Sequence, residues 1–127
     1  MANPNAVFGA YLRELRLKAG FGLRKFAEVA GFQPSNLSNL ERGKLRPPRD
    51  PERLEEMADA LGLVAGTPER QKLYDLAARA QKAPLPADVQ PYARSHQLVP
   101  VLLRTAQDKN LTDDELQELI QHINEHY

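Results

Sequence analysis

The sequence contains no cysteine, which removes disulfide frameworks, thiolate zinc sites and cysteine nucleophiles from consideration. No stretch approaches the roughly 20 consecutive apolar residues of a membrane span, and the opening Met-Ala-Asn-Pro-Asn is not a secretory signal. A cytoplasmic location is therefore expected. Asn36-Leu37-Ser38 and Asn110-Leu111-Thr112 are accordingly read as chance sequons. Phosphate loops, dinucleotide fingerprints and serine-centred nucleophile motifs are missing too, as are internal repeats and low-complexity tracts. His122-Ile-Asn-Glu125-His126 matches the H-x-x-E-H spacing of a zinc site. The simpler reading is two histidines near a helix C-terminus, where positive charge is favoured. No enzyme activity, metal site or cofactor is expected.

What is present fits one compact core with a small second element: 127 residues, 42% of them hydrophobic. The net charge of zero hides a division along the chain. Residues 1 to 49 hold nine bases (Arg13, Arg16, Lys18, Arg24, Lys25, Arg42, Lys44, Arg46, Arg49) against three acids (Glu14, Glu28, Glu41). The remaining residues carry eight bases against fourteen acids. A basic half beside an acidic one is the electrostatic footprint expected of a phosphate-binding surface.

That basic half contains two short amphipathic segments around Gly31. Leu23, Phe26, Ala27 and Ala30 fall on one helical face, and Leu37, Leu40 and Glu41 do so in the next segment. Gly31 can end the first helix because glycine reaches positive φ at little cost. Two helices joined so tightly have the pattern of a DNA-reading helix-turn-helix. The outward face of the second offers Gln33, Ser35, Asn36 and Asn39, neutral donors and acceptors suited to base edges, Asn pairing bidentately with adenine. Arg24 and Lys25 at the start of the first helix, with Arg42, Lys44, Arg46 and Arg49 after the second, are the candidate phosphate contacts.

The flanking helices can be placed as well. Helix 1 is predicted over about 6 to 19, with Phe8, Leu12, Leu15 and Ala19 inward and Arg13, Arg16 and Lys18 outward. Lys44-Leu45-Arg46-Pro47-Pro48-Arg49 reads as a stiff, extended, basic connector. Asp50-Pro51 and Thr67-Pro68 open helices 4 and 5, with Leu54, Met57, Ala58 and Leu61 inward on one and Leu73, Leu76, Ala77 and Ala80 on the other. Residues 81 to 91 contain three prolines and read as a linker between a domain at 1 to 80 and a helical segment at 92 to 127. In that segment one helix is expected from Pro100 to about Lys109. A second starts at a capping box of Thr112 and Glu115.

Leu-Arg-Glu-Leu-Arg at 12 to 16, Gly20, Phe26-Ala27-x-x-Ala30-Gly31, Leu37-Ser38-x-x-Glu41-x-Gly43, and the helix from Leu54 to Leu61 together form a pattern over about half of the chain. In that pattern the chain resembles the Xre/Cro-like repressors of bacteria and phages, with their lambda-repressor-like domain. The sequence departs from the usual pattern at Gly22-Leu23, where Ser-Gln is common, and at Gln33, where Ser or Thr is usual. The resemblance implies an all-α fold, a five-helix domain followed by the short C-terminal segment. It also implies that Ser35 and Asn39 occupy base-reading positions, and that Arg16 and Glu41 form an ion pair tying helix 1 to helix 3.

The leading expectation is thus a sequence-specific regulator of transcription, a repressor acting as a homodimer on palindromic double-stranded DNA, since one small domain buries too little surface to select one site. Val101, Leu102, Leu116, Leu119, Ile120 and Ile123 are the candidate dimerisation residues. The alternative is an antitoxin or protease-controlled interaction protein whose acidic C-terminal half binds another protein, with DNA binding serving autoregulation.

Overall fold

The computed structural model describes residues 3–83 and 85–127, which form eight helices and no strand. They are α1 Pro4–Lys18, α2 Leu23–Ala30, α3 Pro34–Glu41, α4 Pro51–Ala60, α5 Pro68–Gln81, α6 Gln90–Ser95, α7 Leu98–Asp108 and α8 Asp113–His126. The chain divides into two compact units, residues 1 to 90 and 91 to 127.

In the first unit local chemistry sets the helix ends. Asn3 caps α1 through Oδ1, which accepts from the Asn5 amide at 2.9 Å. Asp50 caps α4 in the same way toward Glu52, at 3.0 Å, ahead of Pro51. Both satisfy amides that a helix start leaves orphaned. Gly31 takes φ 77° and lets the Phe32 amide bond back to the Ala27 carbonyl at 2.7 Å, so α2 stops within one residue.

Packing then assembles the helices around Phe8, Leu12, Phe26, Leu37, Leu54, Met57 and Leu73, all fully buried. Each such side chain contributes about 1.5–3 kcal/mol through burial. α1 packs on α3 and α5, α2 on α3 and α4, and α4 on α5. Gly9 on α1 permits the closest approach: a Cβ there would stand 2.3 Å from the Leu40 carbonyl oxygen and 2.5 Å from that of Glu41. The backbones of α1 and α3 therefore meet with no side chain between them.

Three arginines join helices by donating to carbonyls near helix ends. Arg16 Nη1 donates to Phe21 O at 2.9 Å, Arg70 Nη1 to Leu63 O at 2.7 Å, and Arg53 Nη1 to Ala30 O at 2.7 Å. Arg16, expected to face outward, is instead buried, because Glu41 opposite it supplies a carboxylate for the guanidinium. Ala19, expected inward, lies past the end of α1 and is exposed.

The proline-rich stretch after α5 packs in part on this unit, since Ala87 belongs to the core. Gln81 also reaches back, its Nε2 donating to the carbonyls of Pro47 and Pro48. Pro47 is buried, so the connector between α3 and α4 is held against the unit.

In the second unit α7 begins at Leu98, two residues ahead of the expected start, which places Pro100 in the first turn where its missing N–H has no intrahelical partner to lose. α6 was not expected. The capping box forms: Thr112 Oγ1 accepts from the Glu115 amide at 3.3 Å, and Glu115 Oε1 accepts from the Thr112 amide at 3.1 Å. No residue from 91 to 127 is buried. Val101, Leu102, Ile120 and Ile123 are each about half exposed, Leu116 only slightly less, and Leu119 half-buried.

Candidate nucleic-acid interface

α3 is built to present one face and hide the other. Leu37 and Leu40 are buried while Gln33, Ser35 and Asn36 are exposed. Pro34 occupies the first turn, and Gln33 stands at the N-cap without a side-chain cap bond, so its amide group is not committed to the helix start. Asn39 is half-buried, and its Oδ1 accepts from Arg42 Nη2 at 3.0 Å. A candidate base contact and a candidate phosphate contact are thereby coupled before any nucleic acid arrives.

The far end of α3 is equally defined. Gly43 takes φ 77°, and the Lys44 amide donates to the Asn39 carbonyl at 2.9 Å. Glu41 accepts both Nε and Nη2 of Arg16, at 2.7 and 2.9 Å, with both side chains buried. That hydrogen-bonded carboxylate raises the Arg16 pKa above its ordinary value. The ion pair forms in a buried, bidentate geometry, which withdraws Arg16 from the basic surface.

The candidate phosphate side chains flank this helix in the sequence, on α2 and on the connector that follows α3. Arg24, Lys25, Arg42, Lys44, Arg46 and Arg49 are all exposed. Lys25 lies 3.9 Å from Glu28 across an open helix face, a pairing that contributes little in water. An open depression of about 250 Å³ joins α1, α2 and α3 and is lined by Arg13, Arg16, Leu23, Ser38, Glu41 and Arg42. It lies beside the first turn of α2, where Gly22 provides no side-chain cap. Free N–H groups there, with Arg13 and Arg42 alongside, make an anion-favouring concavity. Helical spacing marks Arg13 only as outward, and the packing of α1 on α3 is what brings it to this depression.

No group of three or more histidines, acids or cysteines able to hold a metal occurs among the described residues. His122 and His126 stack on each other at 3.9 Å between ring centroids, and His126 Nδ1 lies 2.8 Å from the His122 carbonyl. Nor is any helix among the described residues long and apolar enough to cross a membrane.

A short helix, a glycine turn and a second helix with a polar outer face, set among exposed bases, define a helix-turn-helix DNA-binding domain. The sequence pattern of the helix-turn-helix domain family matches residues 7–73, and the chain belongs to that family. It is a DNA-binding transcriptional regulator. Among solved structures, the clp gene regulator ClgR from C. glutamicum is 30% identical, over 63% of this chain and 95% of that one, with a TM-score of 0.49. No curated protein matches.

Proposed function

We propose that this regulator is a sequence-specific repressor which acts as a homodimer on a two-fold-symmetric operator, in the cytoplasm and on nucleoid DNA. The observation that carries the reading is the outer face of α3, where Gln33, Ser35, Asn36 and Asn39 stand between two groups of exposed bases. Asn39 suits adenine, since an amide can accept from N6 and donate to N7. Ser35, Asn36 and Gln33 reach neighbouring edges. Arg24, Lys25, Arg42, Lys44, Arg46 and Arg49 hold phosphates and set the register of α3 in the major groove.

Dimerisation falls to the second unit. Its two longer helices expose Val101, Leu102, Leu116, Ile120 and Ile123, and helices of 11 and 14 residues bury too little on their own to hold this apolar surface in water. A second copy of the same helices would cover it. The domain then comprises the first unit, and residues 91 to 127 the pairing element.

Nuclease footprinting on the DNA upstream of the protein's own coding sequence tests the reading. Two protected half-sites about 34–36 Å apart are expected. Protection of a single isolated half-site, or none, would overturn the dimeric repressor.

A further inference from the structure

Arg53 lies on α4, away from the outer face of α3, yet it contacts the turn that aims that helix. Nη1 donates to the Ala30 carbonyl at 2.7 Å and Nη2 to the Gly31 carbonyl at 2.6 Å. The guanidinium carbon sits 4.0 Å from the centre of the Phe32 ring, and Glu56 Oε2 accepts from Nη1 at 2.9 Å. One planar group thus engages three consecutive residues, Ala30, Gly31 and Phe32, which make up the end of α2 and most of the turn.

We infer that Arg53 is a positioning residue for DNA recognition, fixing the angle at which α3 leaves the turn. Carbonyls at a helix end need outside donors, and a forked, stacked guanidinium supplies two at fixed separation while pinning the next ring. Gly31 fits this arrangement, since a Cβ there would come within 3.2 Å of Arg53 Nη1. The leverage is large. α3 has eight residues, about 12 Å of helix, and a tilt of about 10° at its start carries its far end about 2 Å, against a hydrogen-bond tolerance of a few tenths of an ångström. Asn39 and Arg42 lie toward that far end.

The inference rests on α3 being the reading helix, so the test has one arm that uses DNA and one that does not. Arg53→Met keeps the apolar stem and loses the fork, Arg53→Lys keeps the charge without the fork, and Glu56→Gln removes only the exposed acid. Leu61→Ala, at the other end of α4, serves as a destabilised control. In fluorescence anisotropy, Arg53→Met and Arg53→Lys are expected to lower operator affinity about tenfold, the value of one good base-edge pair, with random duplex changed less than about twofold. Glu56→Gln and Leu61→Ala should leave the operator-to-random ratio unchanged. In the free protein, residual dipolar couplings should report a changed α2–α3 angle in both Arg53 variants and in neither control.

Operator and random DNA weakening together, with unchanged couplings, would make Arg53 a stability residue only and overturn the inference. If the wild-type protein prefers no sequence, the proposed function fails, and the couplings alone then decide whether Arg53 sets the angle.

Discussion

Arg16 and Glu41 join α1 to α3 through two parallel hydrogen bonds, with both side chains more than nine-tenths buried. A buried pair of this kind adds little over a well-packed apolar pair, but losing one partner strands a charge. Glu41→Leu is expected to cost about 3–5 kcal/mol in urea unfolding, and Arg16→Met added to it should recover most of that loss. A double variant no more stable than Glu41→Leu would assign the loss to packing rather than charge.

Gly9 should tolerate no side chain. Its missing Cβ faces backbone carbonyls of α3, which cannot rotate away as a flexible side chain would. Gly9→Ala is expected to destabilise by about 3 kcal/mol or more despite alanine's better helix propensity. A thermal transition at or above the wild-type midpoint would mean that α1 and α3 can separate freely.

Base reading and phosphate holding should part company by mutation. Asn39→Ala is expected to cost roughly 1–3 kcal/mol on the operator and far less on random duplex. Arg46→Ala should weaken all sequences alike and lower the slope of log affinity against log salt by about one. Anisotropy titrations at several salt concentrations distinguish the two, and an unchanged slope would remove Arg46 from the contact set.

The apolar surface of α7 and α8 should control assembly. Light scattering is expected to show a dimer for the full chain and a monomer for Ile120→Asp, since a carboxylate without a partner is costly in an apolar interface. Truncation after Gln90 should likewise give a monomer, one that keeps its own core and binds a half-site weakly. A monomeric full chain, or a dimer surviving both changes, would reassign the surface to a different protein.

Acid should loosen the start of α8. Hydrogen bonds from the Thr112 backbone and then from its side chain lower the Glu115 pKa from the ordinary 4.5. With the folded value below the unfolded one, the capping box stabilises the helix above pH 4.5 and loses that contribution as pH falls through the folded value. A carboxyl NMR titration should place the Glu115 midpoint below 4.5, and Thr112→Ala should return it toward 4.5. Identical midpoints in the two proteins would discount the Thr112 hydroxyl as a cause and leave the backbone N–H alone responsible.

The helix-turn-helix and its exposed polar face were legible because they depend on nearby residues. Gly31 ends α2, Leu37 and Leu40 repeat at helical spacing, and Asp50-Pro51 opens α4. The locking contacts were not. Arg53 finds its carbonyls 22 and 23 residues upstream, Gly9 owes its role to a carbonyl on α3, and Gln81 reaches back more than 30 residues to Pro48. Helical periodicity alone marks Arg16 as an outward base; its pairing with Glu41 was legible only through the family resemblance, and that pairing buries it. α6 has six residues and no buried side chain, so no apolar stripe announces it.

The clamp of Gln81 on the Pro47 and Pro48 carbonyls bears on the thermodynamics of encounter with a polyanion. Arg46 and Arg49 flank a backbone whose shape is settled when the protein folds. The ordering entropy, about 1–2 kcal/mol for each residue fixed, is therefore lost at folding and not at association. Charged arms that order only on contact carry a large heat-capacity signature. Here this connector should contribute almost none, leaving counterion release as its main thermodynamic trace.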